Sequence, residues 1–389
     1  MRTTLIMDTN YFLISRAYIH RDILNKEDSI SEKQYGCKQL FQTIIQQINL
    51  FIQKYPNLIT DVLLVTDKGS WRKKIPLPES LKEITYKGQR KKSTPSAGFD
   101  PDWNYIFNYY QDYFIDFLNE KQIAIYNNFD IEGDDWAQEY SNRIFNKGNN
   151  VILWTTDCDW QQLIKYNPEK SNAIVWYNGK KVVISKDFGN SKSTLTPTLE
   201  SLLFMNGLPS LNILKTDKNS NTIRSIQDFV YNQNQYEYIQ PQDIILQKII
   251  TGDSSDNIKS LWHQSSPQTI NITENMISKF NYTPSFTKDI NIPNGQYPNE
   301  LLREIQKISK FKSNPPTLEQ LQERYNYNKQ LVWLHPSQYP EYVKQNLTYK
   351  HSQEKDKKVN SSVEFFKNIK EQFYSNNFNL SHKEEIIPF

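Results

Sequence analysis

Val151-Ile152-Leu153-Trp154-Thr155-Thr156-Asp157-Cys158-Asp159 is the stretch that decides the fold. Its four consecutive apolar residues lack the polar alternation of a surface strand, so they read as a strand buried on both faces. An acid pair waits at its carboxyl end. The same pattern recurs at Thr4-Leu5-Ile6-Met7-Asp8 and at Val62-Leu63-Leu64-Val65-Thr66-Asp67. Another strand is expected over Gln122-Ile123-Ala124-Ile125-Tyr126, and Asn178-Gly179-Lys180 reads as the turn of a hairpin. Helical patterns lie between these runs. Leu40, Ile44, Ile45, Ile48 and Ile52 form an apolar stripe within 36–54, 101–119 is rich in aromatic residues, and an acid-led helix is expected over 130–145. Strands alternating with helices imply an α/β fold with a doubly wound, mostly parallel central sheet. Ligands in such folds bind beyond the carboxyl ends of the strands, where these acids would converge.

Nine carboxylates stand at strand ends or helix starts: Asp8, Asp67, Glu132, Asp134, Asp135, Asp157, Asp159, Asp253 and Asp256. Each has a local explanation. Asp8 could cap the next turn, Asp134 and Asp135 suit a helix N-terminus, and Asp157 with Asp159, like Asp253 with Asp256, suits a turn. Gathered at one sheet edge, however, they would repel one another unless cations neutralised them. All-oxygen ligands favour Mg²⁺, with Mn²⁺ able to substitute, over Zn²⁺. Two such ions about 4 Å apart suit in-line attack on a phosphodiester.

The chain has 389 residues, 37% of them hydrophobic and 23% charged, and a mean hydropathy of −0.72. No apolar run approaches the ~20 residues of a membrane helix, and Asp8 interrupts the first run too early for a signal peptide. The two cysteines, Cys37 and Cys158, form neither a zinc quartet nor a disulfide framework, which points to a reducing compartment. The five histidines show no metal spacing and read as surface or structural, and Cys158 reads as a packing residue. Net charge is only +3, yet Arg72, Lys73, Lys74, Lys82, Lys87, Arg90, Lys91 and Lys92 meet just two acids over 71–92. Such a concentration reads either as a solvated charged loop or as a site for a polyanion.

Six segments, in this order, resemble the 5′-nucleases, the family of flap endonucleases and phage 5′-exonucleases with RNase H activity, which have a PIN-like fold. They are Met7-Asp8-Thr9-Asn10, Thr66-Asp67-Lys68-Gly69-Ser70-Trp71-Arg72, Tyr86-Lys87-Gly88-Gln89-Arg90, Glu132-Gly133-Asp134-Asp135, Thr156-Asp157-Cys158-Asp159-Trp160-Gln161-Gln162-Leu163 and Gly252-Asp253-Ser254-Ser255-Asp256-Asn257-Ile258. The resemblance implies that Asp8, Asp67, Glu132, Asp134 and Asp157 are inner metal-binding acids. Asp135, Asp159, Asp253 and Asp256 would be further carboxylates, contacting metal directly or through water. It also implies that Lys87 and Arg90 are catalytic, stabilising charge on the scissile phosphate. Residues 72–113 would be a helical arch passing a single strand, with Arg72, Lys73, Lys74, Lys87, Arg90, Lys91 and Lys92 on its backbone. Tyr86 would stack on an unpaired base, with core packing as its alternative.

The implied organisation is a nuclease domain over 1–260, carrying an insertion at about 186–238, and a mainly helical region over 261–389 that binds duplex or a partner. The implied activity is Mg²⁺-dependent hydrolysis at 5′ flaps, nicked 5′ ends and RNA primers on DNA, by a monomer in a bacterial or phage-infected cytoplasm. Ile386-Ile387-Pro388-Phe389 resembles tails that bind sliding clamps, and the C-terminal region could also meet a single-strand-binding protein. One departure concerns the K⁺ site that accompanies the family's glycine-rich hairpin: no glycine follows Gly252 until Gly295. A PIN-like ribonuclease of single-stranded RNA and a non-catalytic nucleic-acid-binding protein are the other readings of the same acids.

Overall fold

The computed structural model describes residues 1–54, 58–81, 86–88, 100–120, 123, 125–179, 182–185, 187, 236–239, 241–261, 302–303, 305–306, 316–355 and 363–367. In chain order the elements are β1 (Thr3–Asp8), α1 (Thr9–Ala17), α2 (Ile30–Lys54), β2 (Asp61–Val65), α3 (Trp103–Tyr109), α4 (Ile115–Glu120), β3 (Ile125–Tyr126), α5 (Gly133–Asn146), β4 (Asn150–Trp154), β5 (Lys165–Asn167), β6 (Asn172–Tyr177), β7 (Val182–Ser185), β8 (Tyr236–Ile239), α6 (Pro241–Thr251), α7 (Leu318–Val332) and α8 (Glu341–Lys355). A π-turn, Tyr110–Phe114, joins α3 to α4.

The sheet order is β3-β2-β1-β4-β6-β7-β8, with β5 paired to β6 outside this row. The neighbours from β3 to β6 are parallel, as are β7 and β8, whereas β6–β7 and β5–β6 are antiparallel. This is the mostly parallel α/β sheet that the apolar runs imply. Strands on one side of β1 follow it directly, whereas its other neighbour, β4, comes after α5. The β1–β4 boundary is therefore the topological switch point, where the crevice of a doubly wound sheet opens.

Alternation along the strands divides the core in two. Leu5, Met7, Val62, Leu64, Ile152 and Trp154 face α1, α2 and the aromatic helices α3 and α4. Ile6, Leu63, Val65, Val151 and Leu153 face α5 through Trp136, Ala137 and Tyr140. Each completely buried aliphatic side chain contributes about 1.5–3 kcal/mol. The central strands therefore form a rigid floor with their carboxyl ends at a common edge.

Described residues on the two sides of the expected boundary at 260/261 pack together. Leu321, Tyr325 and Leu331 of α7 pack on Ile245 and Ile249 of α6, and Val343 and Leu347 of α8 join the α5 face of the sheet. Gln162 Nε2 donates to Val332 O at 3.2 Å, and Leu334 N donates back to Gln162 Oε1 at 2.9 Å. The arch expected over 72–113 is described at 72–81, 86–88 and 100–113. Trp71 and Arg72 are buried at its start, and Tyr109 and Tyr110 are core residues at its end, with residues 82–85 and 89–99 outside those described. The insertion expected to run to 238 ends in β8, which pairs in parallel with β7. Most of its length, the segment after Leu261 where a K⁺-binding hairpin would lie, and the terminal Ile386–Phe389 are outside the described residues.

Candidate active site

Each acid reaches the sheet edge through a local device. Asp8 ends β1 and caps α1, its Oδ1 accepting from Tyr11 N at 3.2 Å, while its Oδ2 accepts from Thr155 Oγ1 at 3.0 Å. Thr155 follows β4, so this bond ties together the two strand ends at the switch point. Asp67 follows β2 and accepts from Gly133 N, at the start of α5, at 2.6 Å. A Cβ on Gly133 would stand 3.2 Å from that same Asp67 oxygen, so glycine permits the approach. Asp134 Oδ1 accepts from Trp160 Nε1 at 2.7 Å. Asp157 accepts from Asp159 N at 2.8 Å and caps the turn after β4. Capping and convergence are thus compatible: in Asp8 one carboxylate oxygen caps α1 while the other bonds across the sheet edge to Thr155.

Asp67 and Asp157 are partly open to solvent, and Asp8 and Asp134 are half-buried. Even so, the four lie deep enough among neighbouring atoms for desolvation to dominate their titration. Burial, then the charges of Asp67 and Asp157, raise Asp8 to about 7. Burial followed by Glu132 raises Asp67, and burial followed by Asp157 and Glu132 raises Asp134 well above the usual carboxylate range. Asp157 is raised by burial and by Asp256, with Lys248 opposing. Among the described residues none of these four makes an ion pair.

The other carboxylates are already matched by cations. Arg72 is 1% exposed, and its guanidinium grips Glu132 Oε2 at 2.5 Å and Asp135 Oδ1 at 2.7 Å while Nε donates to Leu331 O at 3.0 Å. Lys87 Nζ bonds to Glu132 and lies 3.9 Å from Asp256 Oδ2. Burial would raise Glu132, but Arg72 and then Lys87 bring it down to about 2. Burial also disfavours the Lys87 ammonium, which Glu132, Asp256 and Asp67 together hold above its ordinary pKa. Lys248 on α6 pairs with Asp159 and, at 2.7 Å, with Asp253.

Several expectations are corrected here. Arg72 is not a strand-binding residue: it is a buried counter-ion joining α5 to α7. Asp135 is not turned toward the sheet edge; it is fully buried and also accepts from Trp71 Nε1 at 3.0 Å. Tyr86 is 5% exposed and its hydroxyl donates to Asp256 Oδ2 at 3.1 Å, which is the packing alternative rather than a stacking platform. Cys158 is exposed, not packed. Lys73 and Lys74 are exposed, Lys74 pairing with Asp130, whereas Arg90, Lys91 and Lys92 lie outside the described residues. Thr155, Trp160, Lys248 and Asn10, whose side chain bonds to Asp67, are site residues that carried no assigned role in the sequence. Asn10 and Trp160 sit inside quoted motifs, whereas nothing in the sequence marks Lys248.

Two backbone features hold the rim. Lys87 has φ +56°, a left-handed conformation uncommon for lysine, and its N–H donates to Asp256 O at 2.9 Å. Gly252 has φ +74°, and a Cβ there would stand 2.4 Å from Ile258 O, so the turn carrying Asp253 and Asp256 requires glycine.

Among the described residues, no three acids, histidines or cysteines stand close enough to chelate one ion as they lie. The donor set nevertheless fits a hard divalent cation: Asp8, Asp67, Asp134 and Asp157 are oxygen donors at one edge, raised first by burial and then by neighbouring carboxylates.

A pH dependence follows. A carboxyl raised in the folded state stabilises the fold only while protonated, so its contribution is complete below its unfolded pKa near 3.8 and lost as pH rises through its folded value, about 7 for Asp8. Glu132 works oppositely, but its window lies below pH 4.5. His20, lowered by burial, offsets part of the fall up to pH 6.5. In chelator, the melting temperature should therefore fall by several degrees from pH 5 to 8, and millimolar Mg²⁺ should restore it at pH 8. A flat profile in calorimetry would show that the four acids do not repel.

No family model matches the chain, and no curated protein matches its sequence. Solved structures to which it is similar include the bacteriophage T5 D15 protein co-crystallised with metal ions, at 16% identity, covering 90% of this chain and 99% of that one, with a TM-score of 0.46. Another is T5 5′-exonuclease with bound zinc ions, at 16% identity, 90% and 99% coverage and a TM-score of 0.48. A third is the T5 D15 flap endonuclease in a pseudo-enzyme–product complex with DNA and metal ions, at 16% identity, 90% and 98% coverage and a TM-score of 0.47. The chain is thus similar, over most of its length, to solved phage 5′-nucleases.

Proposed function

We propose that the chain is a divalent-metal-dependent, structure-specific 5′-nuclease. It would hydrolyse phosphodiesters at 5′ flaps, nicked 5′ ends and RNA primers on DNA, leaving 5′-phosphates, in replication or repair. The observation that carries this reading is the convergence of Asp8, Asp67, Asp134 and Asp157, from four separate segments, at the switch point of a parallel sheet, with no ion pair to any of them among the described residues. The six motifs, in order, support the same reading.

Asp8, Asp67, Asp134 and Asp157 would hold the divalent ions. Bound there, such ions neutralise phosphate charge and lower the pKa of water. Tyr11 N and Thr155 fix both oxygens of Asp8, Gly133 N fixes Asp67, and Trp160 fixes Asp134, so the ligands are oriented before substrate arrives. Lys87 stays charged at the rim and would meet the scissile phosphate, exchanging Glu132 for a phosphate oxygen. Arg90 would act beside it. Asp159, Asp253 and Asp256 would form a second group whose positive charge is now supplied by Lys248 and Lys87. A sliding clamp or a single-strand-binding protein would dock through the C-terminal region, whose terminal Ile386–Phe389 lies outside the described residues.

The test is product mapping on a labelled panel of 5′ flap, nick, gap, RNA–DNA hybrid and single strand, with Mg²⁺ or Mn²⁺ and with chelator. Mg²⁺-dependent cleavage near the junction, leaving a 5′-phosphate, is expected. Preference for unstructured RNA would replace this reading with a PIN-like ribonuclease. Junction binding indifferent to chelator, without product, would replace it with a non-catalytic binder.

A further inference from the structure

The β3–α5 loop carries a feature that the nuclease reading does not use. Phe129 is 69% exposed, the most exposed aromatic side chain among the described residues. It lies three residues before Glu132, within about 10 Å of chain. Its loop is held firmly: Asp130 N donates to Lys68 O at 2.7 Å, Lys68 N to Ile131 O at 3.1 Å and Trp71 N to Asp130 O at 2.8 Å. An apolar ring held out to solvent on a backbone this well bonded is not a frayed residue.

Around it lie cations and a second aromatic. Lys68, Lys73 and Lys74 are exposed. Lys74 Nζ bonds to Asp130 and stands 5.6 Å from the ring of Tyr342, which is 40% exposed. Tyr342 belongs to α8, so the C-terminal region meets the basic segment here. The acids nearby include Asp130, taken by Lys74, Glu341, 3.8 Å from Lys344, Asp135, whose charge reaches Tyr342 but which is buried on Arg72, and Asp67, next to Lys68 in the chain. The patch is thus cationic and aromatic, and it adjoins the loop that leads into Glu132 and Asp134.

We infer that Phe129 and Tyr342, with Lys68, Lys73 and Lys74, form a stacking path for single-stranded nucleic acid leading to the carboxylate edge. Exposed rings beside cations suit unpaired bases, because every base offers a flat face and the backbone supplies the negative charge. A paired duplex would present only its phosphates and leave Phe129 without a partner. The inference rests on the nuclease reading and assigns its substrate's unpaired strand to a surface built partly by α8.

The experiment measures binding in chelator, so that cleavage plays no part. Fluorescein-labelled oligo-dT, a 5′ flap and blunt duplex are titrated by anisotropy against the wild type, Phe129→Ala, Tyr342→Ala and Leu50→Ala, the last an exposed residue on α2. Phe129→Ala should weaken oligo-dT and flap binding about tenfold and duplex binding hardly at all. Tyr342→Ala should act in the same direction. Lys73→Gln and Lys74→Gln should each reduce the salt slope by about one. A 2-aminopurine placed in the flap should be quenched by the wild type and not by Phe129→Ala. Binding within twofold of wild type for both aromatic variants, or equal loss for duplex, would overturn the path. If flap cleavage persists in that case, the nuclease reading stands without it. If the wild type binds oligo-dT through these rings but cleaves nothing, the path stands and the nuclease reading falls.

Discussion

Asp134→Asn should lower cleavage by about 10²–10³-fold while making the metal-free protein more stable at pH 8. The first half follows from charge. Each 1.36 kcal/mol of transition-state stabilisation is tenfold in rate, and a bound ion supplies several kcal/mol, so removing a ligand charge costs two or three decades. The second half follows from geometry. Asparagine keeps an oxygen where Trp160 Nε1 donates at 2.7 Å, so the substitution removes charge without removing the bond. Burial, Asp157 and Glu132 all disfavour the Asp134 carboxylate. Ionising Asp134 therefore costs the folded state more than the unfolded one, a difference that grows with pH. The stability gain should be clear at pH 8 and small at pH 5. Kinetics with a flap substrate and thermal melts in chelator read the two effects separately. Lost activity with lost stability would mark Asp134 as structural, and retained activity would remove it from the site.

Arg72→Ala should destabilise the fold by about 3–5 kcal/mol, the usual effect of stripping one partner from a buried ion cluster. Arg72 satisfies two carboxylates that are themselves 2% and 0% exposed, and a carbonyl of α7. Its loss leaves Glu132 with Lys87 alone and Asp135 with no cation. Lysine should not rescue, because a single ammonium cannot reproduce the fork that spans Glu132, Asp135 and Leu331 O. Arg72→Met combined with Glu132→Gln and Asp135→Asn should recover part of the loss, since neither carboxylate is then left charged, although Lys87 keeps only Asp256, at 3.9 Å, as an acidic partner among the described residues. Urea unfolding checks both. A loss below about 1 kcal/mol for Arg72→Ala would place the cluster among weak surface pairs.

The particular residues show what could be read in advance. β1, β2 and β4 were legible because runs such as Leu5-Ile6-Met7 and Val151-Ile152-Leu153 have no polar interruption, and only strands buried on both faces tolerate that. The hairpin at Asn178-Gly179-Lys180 was legible from turn chemistry, with Gly179 at φ +94°. The apolar stripe in 36–54 marked α2, although that helix begins earlier, at Ile30. β8 was not legible, because its four residues carry no pattern apart from their pairing with β7.

Acids after the central strands were legible in the chain, because hydrophobic periodicity sets strand ends and strand ends set where the next polar residue emerges. Which acids face the open edge, and which are buried with a cation, depended on the folded arrangement. That choice depends on long-range partners: Arg72 meets Asp135 across 63 residues and Leu331 across 259, and no local signal can state such a pairing. Formal charge is additive along a chain, whereas electrostatic energy depends on three-dimensional separation and on the surrounding medium. Arg72 and Lys73, adjacent in the basic segment, therefore end in opposite environments, one buried between carboxylates and the other free in solvent.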